Sequence, residues 1–384
     1  MTTIAKPDGE ERTASPVPSP ARTAGTTAIS IRPGTGADTW RTREQDAPRR
    51  HPMRGFEDAY VDIVDWIVGI THRIWEDQDV GHIYDTYAPG VAVHDDHGTH
   101  FGVERVVEGT LQAIDAFPDT RSYADDVIWA GDEDRGFATS HRYVNVGHHL
   151  GAWRWGPATG RPLQLWGIAN CVARDNAIFE EWVLHNTCSR LAAAGVDLRR
   201  AAREYGDELH GSGLDLHRTD VVRLVGGRAP QRFADTDEAQ RPMADVERWA
   251  RALFHDLWNR RDLSVVDRSY SATALWHGTS DREARGAAEI KGRFRSLLAT
   301  FPDLAMRVDE VYWMDDPDGR HRVSVRWSAS ATHRGWALYG RPTERRVSLW
   351  GIAQLYLDGG RVVEEWNMFN EFDLLAQILS ETPR

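Results

Sequence analysis

The chain has 384 residues, enough for two or more domains with cores of their own. Hydrophobic residues at 41% and charged residues at 27% fit a folded globular protein, and no apolar run approaches the length of a membrane-spanning helix. A formal charge of −12, from 46 basic and 58 acidic residues, argues against a general nucleic-acid binder, which concentrates cations on one face. Two cysteines, Cys171 and Cys188, are too few for a disulfide framework and suit a reducing cytoplasm. The 16 tryptophans point to aromatic cores or aromatic pockets.

Residues 1–53 are rich in Pro, Thr, Ala, Gly, Ser and Arg and poor in large aliphatic residues, so a disordered tail is expected there. Order is expected from near Phe56. Tyr60, Ile63, Val64, Ile67, Ile70 and Ile74 recur at helical spacing and predict an amphipathic helix ending near Trp75. A short helix over Val80–Tyr87, a strand at Val91–His94, a turn at Gly98 and a helix over Val103–Phe117 follow, the last stopped by Pro118. Four strands are then predicted over Ser122–Ala130, Gly136–His148, Leu163–Arg174 and Ile178–Asn186, with Gly, Asp and Asn at their turns. Helices first and antiparallel strands afterwards make an α+β domain.

The same order recurs. A shift of 183 residues brings Trp75, Asp79, Tyr87 and His94 onto Trp258, Asp262, Tyr270 and His277. A shift of 184 brings Phe117-Pro118-Asp119 onto Phe301-Pro302-Asp303 and Leu165-Trp166-Gly167-Ile168-Ala169 onto an identical run starting at Leu349. Glu180-Glu181-Trp182 likewise meets Glu364-Glu365-Trp366, and Asn186 meets Asn370. The chain is a duplicated domain. The boundaries read as 54–203 for the first copy, 204–242 for a linker with one short ordered piece at Val221–Val225, and 243–384 for the second copy.

In the second copy, Val323-Ser324-Val325-Arg326-Trp327 precedes Thr332-His333-Arg334-Gly335 and a Gly340-Arg341-Pro342-Thr343 turn. A strand through Gly351-Ile352 and then Glu364-Glu365-Trp366 before Asn370 complete the series. In that order and spacing each copy resembles the SnoaL-like polyketide cyclase family of the nuclear transport factor 2-like superfamily. The resemblance implies two tandem cones, each of about three helices on a curved antiparallel sheet with a pocket inside. It also implies cofactor-free acid–base chemistry on a small organic molecule, such as aldol ring closure, while other relatives isomerise, dehydrate, hydrolyse epoxides or only bind ligands. Family members commonly carry an aspartate four residues after the last-strand tryptophan as general acid or base. Here Asn186 and Asn370 stand there, and an amide does not exchange a proton near neutral pH.

Candidate site residues follow from strand alternation and from comparing the copies. Glu180, Trp182 and Asn186 share one face, and the resemblance turns that face into the first cavity, with His185 turned away. Glu180 is then a partly desolvated base, or a solvated residue at the strand's start. His141, Tyr143, Asn145 and His149 share a face whose equivalents in copy two are Val325, Trp327, Ala329 and His333, so the first copy is expected to hold the functional cavity. Within His94-Asp95-Asp96-His97-Gly98-Thr99-His100, a rim pair of His94 oriented by Asp96 is preferred to a metal site, since alternate residues diverge. A polar turn is the plainer alternative.

Proton transfer is therefore assigned to His94, Asp96, His141, His149 and Glu180, and substrate contact to Tyr143, Asn145, Trp153, Trp155, Trp166, Trp182 and Asn186. The second-domain pocket is expected to use His277, Trp327, His333, Trp366 and Asn370. No metal, cofactor, nucleic acid or membrane partner is expected. The two copies are expected to form an intramolecular pseudo-dimer, open to further homodimerisation. The function expected is cyclase, isomerase or lyase/hydrolase chemistry on a carbonyl compound in the cytoplasm. The alternative is a non-catalytic binding or scaffolding protein with aromatic pockets.

Overall fold

The computed structural model describes residues 35–36, 48–212, 246–316 and 318–381. In the first domain, helix α1 (Ile63–Trp75) starts where Asp62 accepts a 2.7 Å bond from the Asp65 amide, and it buries Ile63, Ile67, Ile70 and Ile74. Short helix α2 (Ile83–Thr86) and helix α3 (Val103–Ala116) complete the helical layer. The strands are β1 (Thr35–Gly36), β2 (Tyr87–Asp95), β3 (Gly98–Phe101), β4 (Arg121–Asp132), β5 (Gly136–His148), β6 (Pro162–Arg174) and β7 (Ala177–Leu184). Helices α4 (Thr187–Ala194) and α5 (Leu198–Ser212) follow.

The second domain repeats this with α6 (Val246–Phe254), α7 (Val265–Ser269), β8 (Tyr270–Gly278), β9 (Arg282–Arg285) and α8 (Gly286–Thr300). Strands β10 (Ala305–Asp315), β11 (His321–Thr332), β12 (Arg346–Asp358) and β13 (Arg361–Phe369) and helix α9 (Glu371–Leu379) end it.

The sheet orders are β1-β4-β5-β6-β7-β2-β3 and β10-β11-β12-β13-β8-β9, identical apart from the two-residue edge strand β1. In each, one parallel pair (β2 with β7, β8 with β13) interrupts an otherwise antiparallel sheet. Even the irregularities repeat: the register shifts at Ala124/Asp126 and Val172/Ala173 recur at Val308/Glu310 and Tyr356/Leu357. Such bulges bend a strand, and equal bending at equal places gives two equally curved sheets. The architecture is α+β, two helix-on-sheet cones in tandem.

Two expectations need correction at the edges. Chain packing begins before Phe56, because Met53 is buried in the first core and Arg50 pairs with Asp62 at 2.7 Å. Ordered packing also continues past 203. Helix α5 runs to Ser212 and buries Ala201, Ala202 and Tyr205, the last against Trp155 and Phe372. The short piece expected at 221–225 lies outside the described residues.

Each sheet has a face under its own helices and a face against the other sheet. On the shared faces Trp166 meets Trp366 edge-on with ring centroids 5.0 Å apart, and Trp182 meets Trp350 in the same way. Ile168, Leu184, Ile352 and Met368 fill the space between. Polar contacts flank this apolar centre. Arg142 donates to Gln354 Oε1 (2.9 Å) and to the Tyr356 hydroxyl (2.8 Å), and Arg322 pairs with Asp126 at 2.7 Å.

Candidate active site in the first domain

The face of the first sheet under its helices encloses a cavity of about 560 Å³. Strand alternation decides what enters it. On β5 the odd residues His141, Tyr143 and Asn145 point in, while Arg142 points to the other domain. On β7 the odd residues Glu181 and Val183 point in, followed by His185. Helices α1 and α3 supply an apolar roof through Ile67, Ile70, Val106 and Ala113, and Trp153 and Trp155 close one end.

Inside, three polar atoms have no hydrogen-bond partner among the described residues: His141 Nε2, Asn145 Oδ1 and Trp155 Nε1. A buried polar atom without a partner is costly, so three that line one cavity mark where a ligand's polar groups can bind. His141 is 3% exposed; burial, and then neighbouring His72, push it down to about 3, so it is a neutral imidazole at pH 7. The Tyr143 hydroxyl lies 2.8 Å from His185 Nδ1. Burial raises the phenol, while burial and then Arg190 lower His185 to about 3, so the pair is neutral.

A second group lies on β2 and the turn after it. Asp95 pairs with His100 at 3.4 Å and accepts the His97 amide at 2.7 Å. Burial opposes ionisation of Asp95, but His100 and His97 outweigh it and hold it below the usual carboxylate range. His100 is raised by its bond to Asp95. Glu181, pushed up to about 7 by burial, accepts from the Tyr87 hydroxyl at 3.2 Å. That pair recurs as Tyr270 with Glu365 in the second domain, which identifies it as part of the framework.

Of the sequence-derived candidates, the cavity brings together His141, Tyr143, Asn145, Trp153 and Trp155. The others lie elsewhere. His94, Glu180 and Trp182 form one stack on the opposite face: His94 Nε2 is 3.2 Å from Glu180, its ring lies 3.6 Å from Trp182, and Arg326 of the second domain covers Trp182. Trp166 is on that face too. Asp96 does not orient His94; it accepts from the His185 amide (2.8 Å) and the Thr187 hydroxyl (2.9 Å), and burial pushes it up to about 7. His149 pins its loop through Thr159 at 3.1 Å. Asn186 bonds Asp281 and the Ser280 amide across the domain boundary, so the position of the family aspartate is structural here.

The expected second-domain pocket is likewise dispersed. His277, Glu364 and Trp366 repeat the interface stack, His333 repeats the loop pin with Thr343, and Asn370 donates to the Asp373 side chain and accepts from the Trp350 amide. Trp327 does lie inside, as packed core at 3% exposure with Val325 and Leu355.

His185, Asp95, His100 and Arg190 were missed. Taking Trp182 as inward-facing inverted the parity of β7. The signal that marks them is the contrast between copies: His185 stands against Phe369, Cys171 against Leu355 and Arg190 against Leu374.

Fold and site together define a cone-shaped α+β pocket with neutral histidines and a tyrosine inside. Residues 248–378 match the family model described as SnoaL-like polyketide cyclase, and the chain belongs to that family. No curated protein matches. Among solved structures, AclR from Streptomyces galilaeus is 32% identical over 36% of this chain and 88% of its own, with a TM-score of 0.30. IdmH from Streptomyces antibioticus is 22% identical over 33% of this chain and 93% of its own, with a TM-score of 0.29. TsrD from Streptomyces laurentii is 19% identical over 36% and 97%, with a TM-score of 0.31. Among the described residues no helix is long and apolar enough to cross a membrane.

Proposed function

We propose that the first domain is a cofactor-independent acid–base enzyme, a cyclase, isomerase or lyase/hydrolase, acting in the cytoplasm on a small carbonyl compound. The second domain serves as its permanent partner in an intramolecular pseudo-dimer. The observation that carries the reading is the Tyr143–His185 pair, 2.8 Å apart, on the same cavity wall as the unpartnered His141 Nε2. A pocket that only holds an apolar ligand has no need of an imidazole bonded to a phenol within it.

His141, neutral at pH 7, takes a proton from the carbon beside the carbonyl through Nε2. Its low affinity for protons in the empty cavity rises as negative charge develops on the substrate, because an opposite charge nearby favours imidazolium. We assign the Nδ1 proton to His185, which then donates to the Tyr143 oxygen and leaves the phenol O–H free for the enolate oxygen. The apolar roof keeps water from the intermediate.

The test is deuterium incorporation beside the carbonyl of 2-tetralone in heavy water, followed by NMR. The whole chain is expected to accelerate exchange above buffer, and Tyr143→Phe to reduce that acceleration by about 10²–10³-fold, the usual cost of one oxyanion donor. Binding of the ketone without exchange by the wild-type chain would favour the ligand-binding alternative.

A further inference from the structure

We propose that the first-domain cavity is shaped for an organic anion, a planar apolar ring system bearing one ionised oxygen group, and that Arg190 receives that group. The inference rests on reading this cavity as the substrate site and specifies the class of molecule it takes.

Arg190 lies on α4, one turn after Asn186, and its side chain lines the cavity beside Phe117, with the guanidinium 5.9 Å from the ring centroid. Among the described residues, no carboxylate forms an ion pair with it within 4.0 Å. The contrast with other buried or partly buried arginines is plain. Arg142 reaches Asp125 at 2.6 Å, Arg322 reaches Asp126 at 2.7 Å, and Arg282 reaches Glu371 at 2.7 Å. A guanidinium held away from water without an anion is destabilising, and burial does lower Arg190.

The other charged groups facing the cavity do not cancel it. Asp95 is matched by His100, Arg105 by Glu108 and Arg154 by Glu208, and Glu181 is tied to Tyr87. Asp96, behind the cavity wall, attracts Arg190 but makes no ion pair with it within 4.0 Å, and its carboxylate already accepts from the His185 amide and Thr187. His141 and His185 are neutral at pH 7. Among the described residues, Arg190 is thus the arginine of the cavity lining that has no ion pair.

The second domain shows what the fold itself requires at this place. The equivalent residue is Leu374, fully buried in the core. The helix packs with leucine there, so arginine in the first domain is a feature of the cavity and not of the cone. The remaining walls fix the other half of the ligand. Phe117 lies beside the cation with Trp153 packed on it edge-on, and Arg154 backs Trp155 and Tyr205, so the walls offer flat apolar surfaces that suit a planar ring system. Arginine matches an ionised oxygen group with forked, charge-assisted bonds.

The test compares 2-naphthoate with its neutral isostere 2-naphthamide by isothermal titration calorimetry on the full chain at neutral pH. The wild-type chain is expected to bind the acid at least about tenfold more tightly than the amide. Arg190→Leu, which installs the second domain's residue, should remove that preference, and Arg190→Lys should keep part of it. If Arg190→Leu melts early, Arg190→Gln replaces it. Equal affinity for acid and amide, a preference that survives loss of the charge, or failure of the wild-type chain to bind either probe would overturn the inference. His141→Ala separates this from the acid–base reading, because it should retain the preference for naphthoate while losing deuterium exchange. An intact preference in a chain without exchange activity would count against that reading alone.

Discussion

The two domains have the same strand order and the same bulges, yet the first encloses a cavity where the second packs Trp327 into its core. The difference is a handful of side chains on one face. Where the first domain has His141, Tyr143, Asn145, Cys171, His185 and Arg190, the second has Val325, Trp327, Ala329, Leu355, Phe369 and Leu374. Both central aromatics lie against a glycine, since a Cβ on Gly167 or Gly351 would come within 2.4 Å of the Tyr143 or Trp327 ring. The backbone therefore accommodates a large ring equally in each. In the second domain the ring is an indole in an apolar core beside Phe369; in the first it is a phenol bonded to an imidazole. A duplicated fold can hold its shape with one interior while the other carries polar groups that cost stability.

The interface gives the largest effect. Arg142 makes an ion pair with Asp125, two bonds to the second domain and a stack 4.2 Å from Trp366. Its counterpart Arg326 stacks on Trp182 at the same distance, but its Nε lies 3.6 Å from the Glu310 carboxylate and has no hydrogen-bond partner among the described residues. Arg142→Ala should destabilise the chain by about 3–5 kcal/mol, because it leaves buried acceptors unpaired. Arg326→Ala should cost visibly less, and denaturant melts of both variants measure the gap. Equal losses would mean the two faces are energetically equivalent despite their geometry.

The filled interior can be opened. Trp327→Ala should cost about 3–5 kcal/mol and create a cavity in the second domain. If that domain binds 2-naphthamide but shows no preference for 2-naphthoate, volume alone is insufficient for the first domain's chemistry. A charge preference there would break the proposed asymmetry.

A smaller effect is acid sensitivity. His141 and His185 sit at about 3 in the folded chain against 6.5 for an ordinary imidazole. A lowered folded value contributes stability that is complete above pH 6.5 and is lost as pH falls toward 3, by up to about 1.4 kcal/mol per pH unit for each group. Asp96 and Glu181, raised to about 7, act in the opposite sense. Their contribution is complete below the ordinary carboxylate range and is lost as pH rises through 7. His141→Val should therefore lessen the loss of melting temperature between pH 6 and pH 4, whereas Asp96→Asn should lessen the loss between pH 5 and pH 8. Unchanged slopes would place these groups in contact with solvent.

Most of the fold was legible in the sequence. Helical periodicity located α1 and α3, turn residues separated β4 to β7, and the repeat carried the assignment into the second domain. The edges were less so. Gly206 inside α5 reads as a break, although Tyr205 beside it anchors the helix to Phe372. The site was half legible. Alternation names two faces of a strand without saying which is inward, and both faces here carry aromatic and charged residues. On β5 the contrast between copies settled the matter. On β7 the Glu-Trp pair looked like pocket chemistry, but it belongs to the face that packs against the second sheet.

The central claim is that acid–base chemistry resides in the first domain alone. Deuterium exchange into 2-tetralone, measured side by side for His141→Val and Val325→Ala with melting curves for each, tests it most directly. The account predicts a loss of about 10²–10⁴-fold in rate for His141→Val, and for Val325→Ala a lower melting temperature with the rate per folded molecule unchanged. Equal loss of rate in both folded variants, or full activity in His141→Val, would contradict it.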